Sequence, residues 1–364
     1  MALAPEQIRI VVVDDSAFMR KALSVMLESD PAIKVVGTAN NGEDGIEKVK
    51  QLKPDLVTMD VEMPRMDGLT ALRHIMKSDP VPVMMVSSIT TDGAQATLEA
   101  LELGAVDFIP KQMSYVSLDI VKIKEDLLAK IRNIVGRKHI LMARHRQRSQ
   151  FAAAGRGTRP IETSGARSVP VRRKNHKVNL VAIGSSTGGP PALHEVISRL
   201  PANLPVGVVV AQHMPPMFTK SLAERLNDTS HLTVREAKDR EPVEPGIVLI
   251  SPGGKHLSIK KIGGRSIVSI SSEPADTLYK PCVDVMFHSV AEAYGRATMA
   301  VVLTGMGSNG LEGARAIKDK GGVLMAQNEA TCVVYGMPRA VIDAKLADQI
   351  VAIDDVAAEI TSYF

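Results

Sequence analysis

Short apolar runs alternate with longer amphipathic stretches through residues 8–136. The runs at 8–13, 35–39, 56–59, 83–86 and 106–109 are mostly apolar, as strands buried on both faces read. The stretches 16–29, 43–52, 67–78, 93–103 and 117–135 carry apolar residues at helical spacing. Five such repeats predict a (βα)5, flavodoxin-like domain with a parallel sheet. A second α/β region begins at Val178, with strand-like runs at 178–183, 206–211, 247–251, 298–303 and 322–326. Helical stretches near 190–200, 216–227, 282–294 and 310–320 separate them, and 256–260 with 265–270 read as a hairpin closed around Gly263-Gly264. The expected class is α/β in both halves, the second doubly wound and mostly parallel with a small antiparallel hairpin.

Between the two lies a stretch with no sustained apolar stripe. Residues 137–177 hold 12 basic side chains and one acidic, which supplies more than the whole formal charge of +4 on the 364-residue chain. Three segments follow: a domain over 1–136, a basic linker over 137–177 with helix in its first two turns, and a domain over 178–364. The linker is expected to act as a hinge, and its charge to steer acidic helical partners rather than nucleic acid, because only Phe151 offers an aromatic ring. No apolar run approaches the ~20 residues needed to span a bilayer. No basic leader precedes the first strand, so a cytoplasmic protein without membrane insertion is expected. Cys282 and Cys332 sit in no metal-ligand spacing and read as core thiols.

In the first domain, Asp14 and Asp15 follow the first strand and Asp60 ends the third. In a parallel sheet these carboxyl ends converge on the ligand crevice. Three carboxylates there call for a hard divalent cation, and Mg²⁺ suits such oxygen donors. Ser87 and Lys111 reach the same rim from the fourth and fifth strands, Lys111 after an Ile109-Pro110 bond that a cis isomer could occupy. The set suits phosphoryl transfer onto Asp60; the plainer alternative is that Asp14 and Asp15 only cap the following helix. VVVDDSAFMR, LVTMDVEMPRMDGL, Ser87-Ser88 and FIPK together resemble the response-regulator receiver domain over 8–130. The resemblance implies phosphorylation of Asp60 by a histidine kinase, and Mg²⁺ held by Asp14, Asp15, Asp60 and the backbone carbonyl of Glu62. It also places Phe108 at an aromatic switch position, for which simple core packing is the alternative.

In the second domain, the first strand runs into Gly184-Ser185-Ser186-Thr187-Gly188-Gly189-Pro190. This loop reads as a nucleophile turn around Ser186, an anion-binding loop or a structural turn; it lacks the GxGxxG spacing of a dinucleotide site. His213 ends the next strand as a candidate general base, and Asn309 follows the strand at 298–303. IGSSTGGP, VVAQHMPPMFTKSLAERL, LISPGGKHL, PCVDVMFHS and VVLTGMGSNG resemble the chemotaxis protein-glutamate methylesterase, also a glutamine deamidase. The resemblance implies Ser186 as nucleophile, His213 as base and the Met306 amide as oxyanion donor. It also implies a glutamyl ester or glutamine amide on a methyl-accepting chemoreceptor as substrate, with no cofactor for hydrolysis.

One position departs from the family pattern GMGxDG: Asn309 stands where the triad aspartate is expected. In serine proteases that exchange keeps the geometry and costs about 10⁴ in turnover, although Cys-His-Asn enzymes use an asparagine. A folded site with reduced esterase activity is expected, the alternative being a silent receptor-binding protein that keeps the fold. Asp284, the nearest alternative acid, is expected to face a substrate groove or solvent, the alternative being that it joins the catalytic network. Met214, Met217 and Phe218 should form one rim of the mouth and 251–256 another, His256 shaping its loop rather than binding metal. A receiver joined to a hydrolase implies that phosphorylation uncovers Ser186, and a monomer should suffice. A DNA-binding effector does not fit the long, strand-rich, acidic second domain, and no dinucleotide fingerprint supports an oxidoreductase.

Overall fold

The computed structural model describes residues 7–111, 119–153 and 176–364. The chain forms two compact units that divide after residue 161. In the first, β1 (Ile8–Val13), β2 (Ile33–Ala39), β3 (Leu56–Asp60), β4 (Val83–Ser87) and β5 (Asp107–Pro110) form one sheet in the order β2-β1-β3-β4-β5. Every pairing is parallel, as the doubly wound reading requires. All of β3 and β4 is buried, so both faces of the sheet are covered. Polar side chains start the helices that do so: Ser16, Asn41, Asp67 and Thr90 each accept a backbone N–H in the first turn.

The stretch read as a hinge is partly anchored. A helix spans Lys138–Ala153, longer than the two turns expected, and Arg137 separates it from Asp119–Gly136. Lys138 Nζ donates to Asp55 Oδ1 at 2.9 Å and to the Pro54 carbonyl at 3.1 Å, while Met142 is buried. His145 Nε2 lies 3.1 Å from the Met76 carbonyl. Residues 154–175 lie outside the described residues.

The second unit holds β6 (Leu180–Ser185), β7 (Gly207–Gln212), β8 (Thr233–Glu236), β9 (Ile247–Ile250), β10 (His256–Ile262), β11 (Arg265–Ser271), β12 (Thr298–Val302), β13 (Val323–Gln327) and β14 (Gln349–Val351). Seven of these make a parallel sheet in the order β14-β13-β12-β6-β7-β9-β8, and β10 with β11 forms the antiparallel hairpin. The unforeseen strands β8 and β14 have four and three residues, too short for a periodic pattern. Helices Met337–Asp343 and Ile353–Thr361 were likewise not foreseen. From β6 the chain builds to one side through β7 and later crosses to the other with β12. The crevice at the carboxyl ends of β6 and β12 is therefore the topological switch point, where such sheets bind ligands. Helix Val283–Tyr294 covers this region, buries Met286, Phe287 and Val290, and packs on β6, β10 and helix Leu311–Asp319.

One buried ion pair joins sheet to helix in the first unit. Lys130 Nζ lies 3.1 Å from Asp107 Oδ2 and 3.4 Å from Asp126 Oδ2. Burial opposes the charge, but the two carboxylates more than offset it and hold the ammonium pKa well above its usual value. Lys130→Met strands the Asp107 carboxylate in the interior. The first unit should lose about 3 kcal/mol, measured as a lower urea midpoint for its unfolding; an unchanged midpoint would show that the pair contributes nothing.

Candidate active site

At the carboxyl edge of the first sheet, Asp14, Asp15 and Asp60 each offer an oxygen within 4.8 Å of the others. Lys111 Nζ lies 2.5 Å from Asp60 Oδ2 and 3.2 Å from Asp14 Oδ2. Burial and the charge of Asp14 push the Asp60 pKa up to about 6 against the opposing pull of Lys111. Such clustered carboxylates fit a small divalent cation, since hard oxygen donors are what Mg²⁺ takes. The helix-cap alternative for the acidic pair does not describe the geometry. Ser16 is the cap, Asp14 Oδ1 accepts the Ser16 N–H at 2.9 Å, and Asp15 is exposed.

Around this cluster, the Glu62 N–H is 3.4 Å from Asp60 Oδ1, and Phe108 is buried at β5. Ser87 is fully buried, its hydroxyl donating to the Gly93 carbonyl at 3.1 Å and to the Ser88 carbonyl at 3.2 Å. Cis peptide bonds precede Pro274 and Pro281, so the expectation of one at Ile109-Pro110 is not met.

At the switch point of the second sheet, the end of β6 is tied to both neighbours. The Ser186 N–H donates to the Thr304 carbonyl at 3.0 Å, and the His213 N–H to the Ser185 carbonyl at 3.0 Å. Gln212, nearly fully buried, accepts from Ser185 Oγ at 2.6 Å and donates to the carbonyls of Ser186 at 2.9 Å and His213 at 3.0 Å. One amide side chain thus fastens the Ser186 loop to the His213 loop. Two amides that an anion cradle would need are spent inside this scaffold, Ser186 on Thr304 and Gly189 on the Ser186 carbonyl at 2.8 Å. Gly305 fits flush against the serine: a Cβ there would stand 2.9 Å from Ser186 Cβ and 2.3 Å from Met337 Sδ.

His213 is held from two directions. Its Nε2 lies 2.8 Å from Asn309 Oδ1, and its ring stacks on Tyr279 with centroids 4.2 Å apart and planes 14° from parallel. The Val283 N–H also donates to Asn309 Oδ1 at 2.8 Å, which identifies that atom as the oxygen. His213 therefore carries its proton on Nε2, leaving Nδ1 as the basic nitrogen. Sequence reasoning missed Tyr279 because it lies in the irregular segment after β11, where no periodicity points.

Two expectations about the surroundings are corrected. Asp284 is partly buried and turned toward Asn309: its Oδ2 accepts from Asn309 Nδ2 at 2.6 Å and its Oδ1 from the Gly313 N–H at 2.8 Å. Of the expected apolar rim, Phe218 is fully buried and Met214 nearly so, leaving Met217 exposed. They belong to the core because helix Phe218–Thr229 turns its first residue inward. His256 does shape its loop, accepting the Cys282 N–H on Nδ1 at 3.2 Å and bonding the Pro274 carbonyl through Nε2 at 3.2 Å. Burial pulls its pKa below the usual imidazole range. Gln212→Leu removes the fastening between the two loops. Labelling of Ser186 by a fluorophosphonate should slow at least tenfold, with about 3 kcal/mol lost from unit stability in a denaturant titration.

The CheB methylesterase family matches residues 181–360, and the response regulator receiver domain matches residues 10–120. A protein-glutamate methylesterase/protein-glutamine glutaminase of Oleidesulfovibrio alaskensis is 52% identical over 370 residues, covering 97% of this chain and 98% of that protein. A protein of the same name from Nitratidesulfovibrio vulgaris is 52% identical over 360 residues with the same coverage. The crystal structure of the Thermotoga maritima CheB methylesterase catalytic domain matches with a TM-score of 0.51 at 44% identity, covering 52% of this chain and 100% of that one. The chain belongs to the protein-glutamate methylesterase/protein-glutamine glutaminase family of carboxylic ester hydrolases, and joins that catalytic domain to a response-regulator receiver domain.

Proposed function

We propose that the chain is a phosphorylation-regulated hydrolase that removes methyl esters from glutamyl residues, and deamidates glutamines, in the cytoplasmic helical region of a methyl-accepting chemoreceptor. The observation that carries this reading is the His213 imidazole, held by Asn309 on the strand end fastened to Ser186. In the proposed cycle, Ser186 Oγ attacks the ester carbonyl while His213 Nδ1 takes the hydroxyl proton. The Met306 N–H receives the developing oxyanion. His213 returns the proton to the departing methoxide, releasing methanol, or to the departing amine, releasing ammonia. Water then attacks the acyl-serine with His213 again as base, and the freed product is a glutamate carboxylate. Each bond in this cycle is made and broken by groups of one chain, so a monomer suffices.

Asn309 orients the imidazole through its oxygen but carries no charge to stabilise imidazolium. Turnover is accordingly placed below that of a site with a carboxylate in direct contact. The receiver supplies the control, with Asp60 accepting a phosphoryl group from a chemotaxis histidine kinase and Lys111 neutralising its oxygens. Bound Mg²⁺, held by Asp14, Asp15, Asp60 and the Glu62 carbonyl, would supply the charge neutralisation that phosphoryl transfer needs. Ser87 and Phe108 would respond to the added charge, and the response uncovers Ser186. The site of action is the cytoplasmic face of a receptor array; no helix among the described residues is long and apolar enough to cross a membrane. The second reading, a receptor-binding protein without turnover, rests on Asn309 alone.

Methanol release from methylated receptor separates the two. The wild type should release methanol, Ser186→Ala should lose at least about 10³-fold, and Asn309→Asp should gain about tenfold or more. A small phosphodonor with Mg²⁺ should accelerate the wild type and leave Asp60→Asn unchanged. A fragment of residues 178–364 should match or exceed the unphosphorylated full chain. Release at the Ser186→Ala level by the wild type, recovered in Asn309→Asp, would establish the silent reading.

A further inference from the structure

We infer that Asp284 is a positioning residue for the hydrolase: its carboxylate fixes the orientation of the Asn309 amide and supplies, one residue removed, the negative charge that Asn309 lacks. The inference rests on the proposed Ser186–His213 chemistry and extends it to a residue outside the expected triad.

The amide of Asn309 has its full complement of hydrogen bonds. Oδ1 accepts from His213 Nε2 and from the Val283 N–H, both at 2.8 Å. Nδ2 donates to Asp284 Oδ2 at 2.6 Å and to Cys282 Sγ at 3.1 Å. An asparagine side chain can turn over by exchanging oxygen and nitrogen at almost no intrinsic cost. Turned over here, it would aim NH₂ at His213 Nε2–H, at the Val283 N–H and away from the only carboxylate it touches. Asp284 penalises that orientation most, since it would set two oxygens 2.6 Å apart with one of them charged. The carboxylate thereby selects the Nε2–H tautomer of His213 through the amide and leaves Nδ1 as the unprotonated, basic nitrogen.

Asp284 is itself immobilised. It lies in the first turn of helix Val283–Tyr294, and its Oδ1 accepts the Gly313 N–H at 2.8 Å. Gly313 is the third residue of helix Leu311–Asp319, where the N–H has no partner within its own helix. That helix can approach so closely because residue 313 has no side chain: a Cβ there would stand 2.4 Å from Phe287 Cβ and 3.1 Å from Asp284 Cα. The carboxylate therefore faces the partial positive charge of two helix N-termini. When His213 takes a proton during reaction, the negative charge that faces it is that of Asp284, relayed by a polarised amide. Among the described residues, titratable groups near His213 include Tyr279 on its ring face, and Cys282 and Asp284 beyond Asn309.

Asp284 could instead matter only as the cap for Gly313, and a double-mutant cycle in the full chain separates the two roles. Asp284→Asn keeps an oxygen for Gly313 but puts an amide donor against Asn309. Methanol release should fall on the order of 10²-fold, and the His213 pKa, followed by imidazole NMR, should fall by about one unit. In the Asn309→Asp background the same Asp284→Asn change should be neutral or beneficial, because a carboxylate then faces His213 directly and the new amide donates to it. Equal losses in both backgrounds, or an unmoved His213 pKa, would overturn the inference and leave Asp284 as a cap. If the wild type releases no methanol while the His213 pKa still falls in Asp284→Asn, the positioning role stands and the proposed turnover fails.

Discussion

The catalytic unit depends on the parallel registration of β6 between β7 and β12. Ser185 pairs with Gln212 and Gly184 with Val302, so three chain segments leave the sheet at nearly the same level. Side chains that are 27 and 96 residues apart can then meet without any loop being long. Buried strands leave no room for slippage, because each backbone N–H and carbonyl already has a ladder partner and any shift would strand one in the interior. The Gln212 side chain turns this register into a local lock by bonding to the residues that leave two adjacent strands.

Both sites handle negative charge in a protein interior, and they do so in opposite ways. In the receiver, three carboxylates cluster with one lysine that touches two of them, and burial together with the charge of Asp14 raises the Asp60 pKa. In the hydrolase, an uncharged amide separates the imidazole from the nearest carboxylate, and every polar atom of that amide is bonded. The first arrangement is built to change its charge state; the second is built to hold one orientation.

Most of this was legible in the sequence, for physical reasons. Continuous Val and Ile runs gave away the doubly covered strands, and residues at their carboxyl ends are functional candidates because sheet topology sends them to one crevice. Asp60, Ser186 and His213 stand at such ends, and the family motifs around them narrow what each could do. Tyr279 is not legible at all, and Asp284 enters only as an alternative acid. Tyr279 lies in an irregular segment, and Asp284 looks like any acidic residue in a first helical turn until Gly313 lets a second helix come within contact. The two shortest strands escaped because three or four residues carry too little alternation. The linker was misjudged in extent because Lys138–Ala153 has scarcely any amphipathic character, yet it anchors through Lys138, Met142 and His145.

The shortness of the outer strands has a consequence for behaviour at high concentration. The second sheet ends in β8 at one side and β14 at the other, four and three residues long, and β8 carries Arg235 paired with Glu241. In the first sheet, β5 at one margin has four residues and closes with Pro110. A margin that offers few unpaired backbone groups, interrupted by charge or proline, gives a neighbouring molecule little on which to extend a ladder. The protein is in this way protected at three of the four margins of its two parallel sheets against accidental strand exchange with its own copies.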